Sequence, residues 1–97
     1  AINSYAFQDC RSLTSIIIPD SATAIYDGAF ENCVALRTIE IPEGMKYIGH
    51  KIFENCLQLS KISFGNTKDR FLLISENDWA GSADWYTLIC SDGTLEE

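Results

Sequence analysis

Leu36-Arg-Thr-Ile39-Glu-Ile41-Pro42, followed after five residues by Ile48-Gly-His-Lys-Ile52-Phe53-Glu-Asn-Cys56, is the stretch that decides the fold, because 23 residues earlier the chain says nearly the same thing. There it reads Leu13-Thr-Ser-Ile16-Ile-Ile18-Pro19, then Ile25-Tyr-Asp-Gly-Ala29-Phe30-Glu-Asn-Cys33. Working outward, Phe7, Phe30 and Phe53 keep one step, as do Cys10, Cys33 and Cys56, and Leu13, Leu36 and Leu59. Ile16, Ile39 and Ile62 follow the same period, with Ile18, Ile41 and Phe64, and Ile2, Ile25 and Ile48. Fixed-period self-similarity of this kind is the signature of a repeat architecture.

The character of the spacing changes within each unit. Ile16 and Ile18 alternate with a period of two, which predicts a strand with one buried face. Upstream of the next strand, Ala29, Phe30, Cys33 and Leu36 fall at steps of one, three and three, which predicts a short helical segment. Pro19 and Pro42 follow the strands, where a missing N–H costs least. One such unit cannot bury its own apolar face, so the units stack. The expected fold is an α/β solenoid, with parallel strands ~4.8 Å apart on one face and short helical segments on the other.

The residues quoted above resemble the BspA-like (Treponema pallidum-type) leucine-rich repeats, whose pattern runs L-x-x-I-x-I-P … I-x-x-x-A-F-x-x-C. The match covers residues 2–64. The tail, Phe64-Gly-Asn-Thr67-Lys68 with Trp79, Trp85 and Thr87-Leu-Ile-Cys90-Ser-Asp92-Gly93, is similar to the segment that closes such arrays, although here glycine directly follows the aromatic. The expected organisation is therefore three repeats over residues 1–64 and a capping segment over 65–97. Phe71, Leu72, Trp79 and Trp85 supply apolar cover for the last coil, and Thr87–Cys90 is a candidate last strand. No equivalent lid precedes residue 2, so further repeats are expected on that side. The resemblance implies surface or secreted bacterial proteins that adhere to host or microbial surface proteins.

The totals restrict function as well. The 97 residues suit one domain, and 46% hydrophobic with 22% charged residues is an ordinary globular balance. The net charge is −7. Residues 1–64 carry five basic and seven acidic side chains, and residues 65–97 two and seven. Nucleic-acid binding depends on clustered Lys and Arg, so this sign argues against it. No apolar run approaches the ~20 residues of a membrane-spanning helix, so direct membrane insertion of this segment is not expected. The chain opens without the basic and apolar regions of a signal peptide.

The residues that invite chemistry have plainer readings beside them. Cys10, Cys33 and Cys56 share one column and point the same way, which suits a reduced structural ladder of small buried hydrophobes better than disulfides. No C-x-x-C or Cys/His cluster offers a metal its usual spacing. Cys90 lies outside the column, its state open. His50, the single histidine, reads as a solvated surface residue rather than part of a Cys–His or Ser–His–Asp site. Asp69, Glu76, Asp78, Asp84 and Asp92 do not form an EF-hand loop and read as a solvated acidic cap. No phosphate loop or G-x-S-x-G nucleophile elbow occurs, so neither a cofactor nor an enzymatic function is expected.

What remains is the strands' outward face. Its positions form two columns, Ser15, Thr38 and Lys61 beside Ile17, Glu40 and Ser63. They are the candidate binding face for a protein partner, or else a merely solvated wall. The phenylalanine, cysteine, leucine and isoleucine columns are the structural ladders. The leading expectation is a non-catalytic binding or adhesion module, with a structural spacer as the alternative.

Overall fold

The computed structural model describes residues 1–84 and 86–95. Its elements, in order, are β1 (Ser15–Ile17), β2 (Ala24–Ile25), β3 (Thr38–Ile41), β4 (Tyr47–Ile48), β5 (Lys61–Phe64), α1 (Lys68–Ile74), β6 (Thr87–Cys90) and β7 (Gly93–Leu95). The main sheet has the order β1-β3-β5-β6-β7. Its first four strands are parallel, with Ile16 opposite Ile39, Ile39 opposite Ile62 and Ile62 opposite Leu88. The period seen in the sequence is thus the pairing register of the sheet. The fold is a parallel-strand solenoid of the leucine-rich-repeat kind.

A second, narrower sheet runs along the coil wall. β2 pairs with β4, and single bridges extend the row from Ile2 through Ile25 and Ile48 to Ser75. The column Ile2, Ile25 and Ile48 is therefore a strand position as well as an apolar one. Between the two sheets lies the core. Ile25, Ala29, Phe30, Cys33, Leu36, Met45, Ile52, Phe53 and Ile62 are fully enclosed. Phe7, Cys10, Leu13 and Ile16, in the first coil, pack against this cluster but are only partly buried. Down its axis Phe7, Phe30 and Phe53 stack with centroids 5.1 and 5.8 Å apart.

The wall expected to be helical is built differently. Ala29, Cys33 and Leu36 donate their amides three residues back, to Tyr26, Phe30 and Cys33. Gly28, Phe30 and Asn32 donate theirs instead to the carbonyls of His50, Ile52 and Glu54 in the following coil. Alternate amides thus leave the segment, so the i to i−4 ladder of an α-helix cannot close. The chain also enters the left-handed region twice per coil. It does so at Tyr5, Gly28 and Lys51 (φ 59°, 63° and 52°), and again at Asp9, Asn32 and Asn55 (φ 64°, 62° and 62°). A right-handed helix excludes such residues. The apolar steps of one, three and three are met by consecutive tight turns rather than by helix.

The last coil is longer. Thr67 caps α1 by accepting from the Arg70 amide at 3.2 Å, and the Ser75 hydroxyl closes its far end on the Phe71 carbonyl at 2.7 Å. Phe71 and Ile74 face inward, while Leu72 and Leu73 are 60% and 75% exposed. Leu72 therefore does not cover the core as its apolar character suggested. Phe71 does, with Trp79 edge-on to it at 4.8 Å and to Phe53 at 6.2 Å. Trp85, the other tryptophan expected there, lies outside the described residues. Thr87–Cys90 adds the fourth parallel strand, and β7 turns back antiparallel beside it. A short antiparallel strand, β7, therefore lies at this edge of the sheet.

Candidate interaction face

Register pairing carries the two outward columns across four strands. Ser15, Thr38, Lys61 and Thr87 stand in one row, and Ile17, Glu40, Ser63 and Ile89 in the other. Ser15, Glu40, Lys61 and Thr87 are exposed, and Thr38 and Ser63 half-buried. Ile17 is 71% exposed and Ile89 38%. The six residues singled out from the sequence thus lie side by side on one surface. Thr87 and Ile89 extend it. They lie outside the 23-residue period because α1 lengthens the last coil, so only the alternation within Thr87–Cys90 signalled them.

Where β1, β3 and β5 run out into their loops, this face deepens into an open concavity of about 320 Å3. Ile17, Ile41, Pro42 and Phe64 line it, together with Asp20, Glu40 and Glu43. One wall is fixed by close backbone approach. The Gly65 amide donates to the Ile41 carbonyl at 3.0 Å, and a Cβ on Gly65 would stand 3.0 Å from the Glu43 nitrogen. The Asn66 side chain ties the Glu43 carbonyl at 3.2 Å.

The family model described as "BspA type Leucine rich repeat region (6 copies)" matches residues 1–79. The chain belongs to the BspA-type leucine-rich repeat family. No curated protein and no solved structure matches it.

In this BspA-type array the cysteine column has a defined task. All four cysteines are free thiols. Cys33 Sγ donates to the Phe7 carbonyl one coil back, and Cys56 Sγ to the Phe30 carbonyl, both at 3.1 Å. The Phe30 carbonyl already accepts the Cys33 amide at 3.2 Å, so the thiol fills its second lone pair. A small apolar side chain with one weak donor suits this place. Burial pushes the Cys56 thiol up to about 12 and raises that of Cys33 and Cys90. A neutral thiol is a poor nucleophile and a poor metal ligand. Among the described residues no group of three or more His, Cys, Asp or Glu is placed to hold a metal ion.

The residue before each cysteine forms a second ladder of the BspA-type units. Asn55 donates to Asn32 at 2.9 Å, and Asn32 to Asp9 at 2.8 Å. These are the left-handed positions, where Asn and Asp are the side chains that cost least after glycine.

His50 is half-exposed, as a surface histidine is, but it is not simply solvated. Its Nδ1 lies 2.5 Å from Asp78 Oδ1, and its Nε2 4.0 Å from Glu76 Oε2. Its amide donates to Asp27 Oδ1 at 2.9 Å, and Tyr47 donates to Glu76 at 3.0 Å. The Asp78 hydrogen bond, with the charges of Glu76 and Asp27, raises the imidazole above its ordinary range. Glu76 and Asp78 therefore fasten the last coil to the one before it. Asp92 likewise accepts the Lys68 amide at 3.0 Å. Three of the five acidic residues read as a solvated cap are in fact connectors.

Proposed function

We propose that this chain is a non-catalytic protein-binding module of a cell-surface or secreted repeat protein, and that it docks its partner on the face formed by Ser15, Ile17, Thr38, Glu40, Lys61 and Ser63, extended by Thr87 and Ile89. One observation carries the reading. Four strands in register present two continuous columns of side chains, and the Ile17, Glu40 and Lys61 side chains among them have no hydrogen-bond or ion-pair role within the described residues. Solenoids use such extended faces for macromolecular contacts.

Membership of the family supports this, since leucine-rich repeats are in general protein-binding scaffolds rather than enzymes, and BspA-type proteins are typically at the surface or secreted. The thiols of Cys33, Cys56 and Cys90 are suited to such a location: buried and raised in pKa, they resist oxidation outside the cell. The test is affinity capture of surface proteins by the chain, followed by a binding assay on each captured protein. Variants Ile17→Ser, Glu40→Ala and Lys61→Ala are compared with Asp69→Asn on the cap. Loss of at least fivefold affinity in the first set alone supports the reading. Affinities equal across all variants leave the face a solvated wall and the chain a structural spacer.

A further inference from the structure

We infer that the concavity at the loop end of β1, β3 and β5 seats a polypeptide segment that presents a Lys or Arg next to a branched apolar side chain. The inference rests on the protein-binding reading above and names the chemistry of the partner. Its floor is apolar, from Ile41, Pro42 and Phe64, and Ile17 stands 71% exposed beside it. Ile17, on the edge strand β1, thus adds exposed apolar surface next to the floor. Three carboxylates, Asp20, Glu40 and Glu43, surround this floor, and no Lys or Arg among the described residues lines it. None of the three carboxylates makes a hydrogen bond or an ion pair within the described residues. Asn66 reaches the Glu43 backbone and leaves its side chain free.

Charge and shape then select the occupant. An anionic membrane or a nucleic acid meets three like charges here, on a chain of net charge −7. A cationic side chain meets opposite charge instead, and an apolar neighbour gains contact with Ile17. Three parallel strands at ~4.8 Å spacing make the concavity roughly 10 Å across, the length of about three extended residues. On one wall the Asn66 side chain donates to the Glu43 carbonyl at 3.2 Å.

The experiment titrates the 15N-labelled chain, at about 150 mM salt, with the blocked peptide Gly-Lys-Leu-Lys-Gly and, separately, with Gly-Glu-Leu-Glu-Gly. The expected result is saturable amide shifts confined to residues 17–20, 40–43 and 63–65 with the lysine peptide alone. Glu40→Gln with Glu43→Gln weakens it by about fivefold, whereas Asp69→Asn with Asp84→Asn weakens it less than twofold. Ile17→Ser weakens it by at least threefold. All these positions are exposed, so the variants keep the fold. The inference is overturned by shifts spread over every acidic surface, by equal losses in the two neutralised pairs, or by no saturable shift up to ~10 mM peptide. Should the peptide fail while Lys61→Ala still abolishes capture of a partner, the groove chemistry falls and the binding module stands. If Lys61→Ala is silent too, both fall.

Discussion

Replacing Phe30 with alanine tests the inward and outward assignment at its most demanding point. Phe30 has no exposed surface and is stacked on both sides, against Phe7 at 5.1 Å with rings 5° apart and against Phe53 at 5.8 Å with rings 20° apart. Core Phe→Ala changes cost roughly 3–5 kcal/mol, the cavity adding to the lost transfer energy. Two ring neighbours place this one in the upper half of that range, since an aromatic pair adds about 0.5–1.5 kcal/mol beyond its buried area. Phe7→Ala removes a ring that is only partly buried and has one stacking partner, so about half the cost is expected. Ile17→Ala, at 71% exposure, costs under ~1 kcal/mol. Urea unfolding followed by circular dichroism reads all three. With a slope of about 1.5 kcal/mol per molar, Phe30→Ala lowers the midpoint by about 3 M. Because natural domains hold only about 5–15 kcal/mol in all, Phe30→Leu, at roughly 1–2 kcal/mol, keeps the ranking measurable if the alanine variant does not fold. A Phe30 loss no larger than that at Ile17 refutes the placement of the ladders.

His50 gives a pH dependence with a definite sign. Its folded value is raised above 6.5, so the stability it contributes is complete below 6.5 and is lost as pH rises through the raised value. The melting-temperature gap between the wild type and His50→Gln is therefore widest in mild acid and closes in alkali; a gap unchanged with pH refutes the Asp78 pairing. Thiol accessibility divides the cysteines. At pH 8 an aromatic disulfide reagent titrates Cys10, in the open first coil, well before Cys33, Cys56 and Cys90, which become reactive on unfolding. Four equal labelling rates contradict the ladder. Gly49→Ala places a Cβ 2.4 Å from Asp27 Oδ1 and 3.1 Å from the Asp27 nitrogen, which displaces the acceptor of the His50 amide. A loss of about 1–3 kcal/mol is expected. Combining it with Asp27→Ala recovers part of that loss in a double-mutant cycle, and full additivity counts against the clash.

The sheet was readable because its cause is local and repeated. Alternation at Ile16/Ile18 and Ile39/Ile41 fixes which side chains point inward, and the 23-residue step sets which of them pair. The coil wall was not readable from apolar spacing, since steps of one, three and three suit both a helical turn and a run of tight turns. What separates the two lies between the apolar positions. Asp9, Asn32 and Asn55 precede the cysteines, and all three adopt positive φ. An Asx residue at each coil's same point was the available signal against a helix. The connectors were hidden for another reason. His50 meets Asp78 across 28 residues, a distance set by α1 rather than by the period.

That insertion also changes how the last described coil packs. Up to β5 every coil offers the next one the same ladders, so another repeat always fits. In the last coil Phe71 and Trp79 fill the space above Phe53 and Phe64 with edge-on rings, in place of the near-parallel stack of Phe7, Phe30 and Phe53. A flat ring adding from beyond finds a tilted surface and an antiparallel β7 at the sheet edge. Glu76 and Asp78 then hold this coil to the one beneath through Tyr47 and His50. Ring geometry and strand direction thus change together in this coil, and polar contacts tie it to its neighbour. The outward columns, which need only the strand register, pass through it unbroken to Thr87 and Ile89.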